Sequence, residues 1–168
     1  MSQNDARGNA APAATAAPDG RGVSSGRGLR INSFSAAVIL LIEYGLGIWV
    51  NLYAKIPASD HGKGTFAAFA AAVAAGPAGL AVHAVLGALL LVTAIALIVR
   101  AAVARNTAAT VIGVVAFLAV AAAWLSGTRF VGDAADGASF GMAIATGVAL
   151  LSYVVILFVP APTEGPGR

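Results

Sequence analysis

Cysteine is absent from the 168 residues. That excludes disulfide frameworks, thiolate metal sites, iron–sulfur clusters and cysteine nucleophiles. Charge is scarce too, at 10% of the chain against roughly 25% in a typical soluble domain. Apolar residues make up 59%, and the mean hydropathy is +0.86. One soluble domain of this length cannot bury so much apolar surface, because over half of a folded protein's surface remains accessible. The composition therefore excludes an ordinary soluble globular protein and points to a lipid bilayer as the solvent. No HExxH, phosphate-binding-loop or dinucleotide-binding glycine pattern is present. No helical segment carries two carboxylates or two histidines three or four residues apart, so catalysis is not expected. The basic excess is dispersed and lacks interleaved aromatics, so nucleic acid is not an expected partner.

What is present falls into three materials. Residues 1–30 are rich in Ala, Gly, Pro and Ser, hold Arg7, Arg21, Arg27 and Arg30, and have no aromatic side chain. Such a segment offers too little apolar area to offset its chain entropy, and a disordered tail is expected. No apolar stretch follows Met1 closely, so the first long one, near Phe34, reads as an uncleaved signal-anchor. Residues 31–160 form the membrane domain. A helix needs about 20 apolar residues to cross the hydrocarbon core, and four such segments occur at about 34–54, 78–99, 107–125 and 139–159. Residues 161–168 read as a loose end. The expected fold is all-α, an antiparallel four-helix transmembrane bundle. The stretch from Thr65 to Ala75 is too short to span and is closed by Gly76-Pro77. It reads as a short helix at the membrane surface, with a kinked extension of the second span as the alternative.

Lysine and arginine counts orient the bundle. The two tails and the 2–3 loop hold seven, against three (Lys55, Lys63 and Arg129) on the other side. The positive-inside rule then puts both termini in the cytoplasm of a plasma-membrane protein. Trp49, Tyr53 and Trp124 read as an interfacial aromatic belt. Small residues at helical spacing (Gly79 and Gly87 on either side of His83; Gly141, Ala145 and Ala149) favour close helix contacts in lipid.

Glu43 is the sharpest polar signal. Counted from Phe34 at 1.5 Å per residue it lies about 13 Å deep, close to the midplane. A carboxylate there costs about 2.5–3.5 kcal/mol on insertion scales and faces a partner inside the bundle. A proton or ion site competes with a hydrogen-bonded packing role. Thr93, Ser152 and Tyr153 lie at similar depth as candidate partners. His83 sits five residues into the second span, level with Asn51, and a His83–Asn51 hydrogen bond is the simplest pairing. The alternative is an axial ligand to haem b, with His61 or Met142 as the second ligand. Asp60, His61, Arg129, Asp133 and Asp136 are assigned to the outer loops, where their spacing matches no defined metal geometry. No metal site and no resident cofactor are expected.

The segments LLIEYGLGIWVNLY (residues 40–53), LAVHAVLGALLLV (80–92) and SGTRFV (126–131) together resemble a family of small four-span membrane proteins from high-GC Gram-positive bacteria. The likeness runs from about Ile31 to Val159 and includes the glutamate of span one and the histidine of span two. That family has no assigned activity, so the resemblance implies topology and a membrane address. Small multidrug-resistance exporters also have four spans and one glutamate in the first, but the residues around Glu43 do not reproduce their pattern. The expected role is therefore a non-enzymatic structural or accessory membrane subunit, with lipid, a second copy or a larger membrane complex as partners. A proton-coupled small-solute transporter using Glu43 is the first alternative, and a haem-binding electron-transfer subunit using His83 the second.

Overall fold

The computed structural model describes residues 21–55, 61–133 and 136–160, the side chains of 21–25, 133 and 136 apart. Residues 1–20 of the tail, Asp60 and the loose end at 161–168 lie outside the described residues. Five helices follow one another: α1 (Arg21–Tyr53), α2 (Thr65–Ala74), α3 (Ala78–Val103), α4 (Thr107–Asp133) and α5 (Asp136–Phe158). There is no strand among the described residues. Four helices are long and apolar enough to cross a membrane, so this is a multi-pass membrane protein.

The four long helices are antiparallel to their neighbours, as the side-chain meetings show. Rising numbers on α1 meet falling numbers on α3, since Gly47 approaches His83 and Gly79 approaches Trp49. Gly113 approaches Leu97 and Ile98, while Gly87 approaches Trp124, which sets α3 against α4. Asn106 reaches Pro160 and Gly141 reaches Ser126, which sets α4 against α5. The ring order is α1–α3–α4–α5, with α1 also against α5. One end carries α2. The other carries Arg27, Arg30, Arg100 and Arg105, and we call it the arginine end.

The packing is inverted relative to a soluble protein. Ala36, Ala94, Ala101, Ala109, Ala116 and Ala149 are buried, whereas Ile31, Leu41, Leu89, Val92, Leu118 and Leu151 are exposed. Small residues at the seams let helix backbones approach, and the large apolar side chains face what would be lipid. Leu40, Leu90, Leu97, Tyr153 and Ile156 complete the central core.

Two stretches differ from the sequence reading. Residues 21–30, assigned to the disordered tail, are helical and continue α1. Buried Leu29 packs into the core and holds that end of the helix down. The third span does not stop at Leu125 but continues to Asp133. Nothing in that stretch removes a backbone donor, the Thr128 hydroxyl donates to the Leu125 carbonyl at 2.9 Å, and Val131 is buried. Arg129 and Asp133 therefore belong to α4 and Asp136 begins α5, where the reading put all three in an outer loop. By contrast, α2 is a short helix of its own, as the sequence reading has it, and not a kinked extension of α3. It ends before Gly76-Pro77 and packs on α3 and α4 through Ala68 and Ala72, which meet Val50, Leu80 and Val131.

Candidate functional site

Two of the intramembrane polar residues, Glu43 and His83, come together. Glu43 of α1 is buried and its Oε2 meets Nδ1 of His83 on α3. Two features of the sequence make this meeting possible. Gly47, one turn beyond Glu43, has no side chain to hold α3 away; a Cβ there would lie 3.3 Å from His83 Cε1. Gly79, one turn before His83, accepts the Trp49 ring where any side chain would collide. Glu43 Oε1 and His83 Nδ1 are both buried without a hydrogen-bond partner, so the pair is a close approach of the two groups and not a formed hydrogen bond. No described residue hydrogen-bonds His83 Nε2.

Two cavities meet at the pair. The inner one, about 90 Å3, lies under α2 and is lined by Phe69, Leu80, Trp124, Thr128 and Met142 besides Glu43 and His83. The second, about 130 Å3, is a groove between α1 and α5, lined by Tyr44, Gly47, Asn51, Ser139 and Thr146 together with the pair. Both are smaller than the roughly 300–1,000 Å3 of a drug-sized ligand pocket and have room for several waters. Their titratable lining residues are Glu43, His83 and Tyr44.

The expected partners are placed elsewhere. Asn51 does not bond His83; its Oδ1 accepts from the Ser139 hydroxyl at 3.1 Å, at the mouth of the groove. Thr93 does not reach Glu43, since its hydroxyl donates one turn back to the Leu89 carbonyl at 2.9 Å. Ser152 likewise donates to the Val148 carbonyl at 2.8 Å. Tyr153 is fully buried and its hydroxyl has no partner. The depth count put His83 level with Asn51, whereas the close approaches at Gly47 and Gly79 set an α1–α3 register in which His83 meets Glu43.

His61 is exposed in the turn before α2, apart from His83. Arg129 is exposed on α4, and the side chains of Asp133 and Asp136 are not described. No group of three or more metal-ligating His, Asp or Glu occurs among the described residues. Met142, by contrast, lines both cavities with His83. Trp124 departs from the aromatic belt. It turns into the bundle, where Phe69 and Phe66 of α2 pack on it at ring-centre distances of 5.6 and 6.1 Å. Trp49 and Tyr53 do stand exposed at the α2 end.

Ser139 is the groove residue that sequence reasoning passed over. Its surroundings, Gly137-Ala138-Ser139-Phe140-Gly141, have the spacing of a serine-hydrolase nucleophile elbow. That motif needs a strand-to-turn-to-helix corner. Here it occupies the first turn of a helix, and the hydroxyl is held by Asn51.

No protein-family model, curated protein or solved structure matches the chain.

Proposed function

We propose that this multi-pass membrane protein binds and releases a proton at the Glu43–His83 pair and couples that exchange to passage of a small solute through the bundle. The observation that carries the reading is the pair's position. A carboxylate and an imidazole touch within the membrane-spanning segments, and each lines both an inner cavity and an open groove. Ionisable groups inside a membrane are costly, and proton relays are a recurring use for them. Imidazole adds the side chain whose charge changes most readily near neutral pH.

The placement that goes with this is the plasma membrane, with both termini cytoplasmic, the α2 end outside and α1 acting as signal-anchor. The arginines at the opposite end support it. The protein acts without a resident cofactor and without enzymatic chemistry. Membership of the four-span Gram-positive family is proposed on the three segments named above.

A structural or accessory role is the second reading. Continuous helices and the close glycine contacts at Gly47 and Gly79 favour it, since the pair would then lock α1 to α3 within a homo-oligomer or larger complex. Haem b beside His83 would need the helices to part, because neither cavity approaches cofactor size. A Soret band in protein purified from its native membrane, lost in His83→Ala, would establish it.

The test is proton movement into dye-loaded proteoliposomes under an imposed gradient, with and without small amines, alcohols and carboxylates on the far side. Wild-type protein is expected to move protons and Glu43→Gln to lose this while eluting as the same folded species. Flux no greater than in protein-free vesicles under every condition, or flux unchanged in Glu43→Gln, rejects the carrier reading and leaves the structural one.

A further inference from the structure

The seam between α1 and α5 holds a row of polar groups that the pair alone does not explain. The Asn51–Ser139 hydrogen bond marks its α2 end and fixes the antiparallel register. From there toward the arginine end, at 1.5 Å per residue, Glu43 is about 12 Å down α1, Tyr153 about 21 Å down α5 and Ser33 about 27 Å down α1. The hydroxyls of Tyr153 and Ser33 are buried without partners, as is Glu43 Oε1. An unsatisfied buried polar group costs about 1–3 kcal/mol, so three along one seam need a reason. The two halves of the seam differ. Between Asn51 and the pair runs the groove. Beyond the pair, Leu40 and Ala149 wall the end of the inner cavity, and Ala36, Ala37 and Ile156 belong with Tyr153 to the packed central core.

We propose that this seam is the route of the proton, caught open toward the α2 end and shut toward the arginine end. The proposal rests on the carrier reading above and adds the path and its gate. Water in the groove delivers a proton to His83 Nε2. When Nδ1 carries a proton, that proton passes to Glu43 Oε2, so one proton enters the pair as one shifts onto the carboxyl; after release, loss of the Nε2 proton to groove water and uptake of one at Nδ1 restore the starting tautomer. Release requires the shut half to admit water, which then takes the carboxyl proton past the Tyr153 and Ser33 hydroxyls. Each step along the ladder is longer than a hydrogen bond, so waters complete the chain and the packed core that includes Tyr153 acts as the barrier.

The absence of cysteine allows a direct test on the full chain in oriented vesicles. Thr146→Cys lines the groove, Ser33→Cys lies on the shut half, and each is exposed to a charged, membrane-impermeant methanethiosulfonate from either side. Thr146→Cys is expected to be modified from the α2 side only, and Ser33→Cys from neither. Tyr153→Phe is expected to slow proton flux without altering the modification of Thr146→Cys. Should Thr146→Cys fail to fold, Ala143→Cys samples the same groove. An unreactive groove cysteine, or a Ser33→Cys modified readily from the arginine side, overturns the route. Reactivity as expected with no proton flux keeps the groove and removes the carrier; flux lost in Glu43→Gln with an unreactive groove does the reverse.

Discussion

At the scale of single residues, the Glu43–His83 contact governs the energetics. Removing one partner of a buried pair strands the other, a change that costs about 3–5 kcal/mol. His83→Ala is therefore expected to destabilise the folded protein by about that much in detergent unfolding. Replacing both at once removes the desolvation burden. Glu43→Leu with His83→Leu is expected to be neutral or to gain about 1–4 kcal/mol while abolishing proton exchange. A double variant as unstable as His83→Ala would mean the pair is held for stability. The glutamate was legible in the sequence, because a lone carboxylate in an apolar run stands out. Its partner was not, since the nearest candidates by depth, Thr93 and Ser152, satisfy their hydroxyls on their own helices. Local bonds of that kind cannot be told from cross-helix ones by counting residues.

At the scale of elements, glycine and asparagine positions decide how the helices meet. Gly79 leaves room for the Trp49 ring. Gly79→Ala is expected to lower stability by about 1–3 kcal/mol through overpacking. Trp49→Ala in the same background should recover part of that loss, as a double-mutant cycle would show. Asn106 begins α4 by accepting the Ala109 N–H on its side chain at 3.0 Å, and its amide donates to the Pro160 carbonyl at 3.1 Å. Asn106→Ala is expected to cost about 0.5–2 kcal/mol as a lost cap, with the end of α5 loosening, visible as faster amide exchange there. The starts of α3 and α4 at residues 78 and 107 were legible, because Gly76-Pro77 and Asn106 punctuate the chain. The end of α4 was not. Polar Thr128 and Arg129 resemble a loop in a hydropathy reading, yet they continue a helix whose backbone nothing interrupts.

At the scale of the whole molecule, alanine inside and leucine, isoleucine and valine outside make a bundle that suits lipid. That the chain suits lipid was legible from composition; which residues face inward was not. The convergence of Glu43, His83, Asn51 and Ser139 on one seam was not, because it depends on the order of helices around the ring. That order puts α1 between α3 and α5, so a single helix can present Glu43 to His83 and Asn51 to Ser139. The short α2 covers the inner cavity, and the groove runs from the pair toward Asn51 and Ser139, so the pair borders two different spaces.

The central claim is that the pair exchanges a proton with the surrounding water. Infrared difference spectra of the purified protein, recorded as the medium is titrated, test it directly. Glu43 is the one carboxyl among the four spanning helices' apolar windows, and the other six acidic residues lie toward the chain ends and loops. A buried-carboxyl band is expected that responds to the medium's pH and disappears in Glu43→Gln. Spectra of wild type and Glu43→Gln that coincide across the whole titration would contradict it.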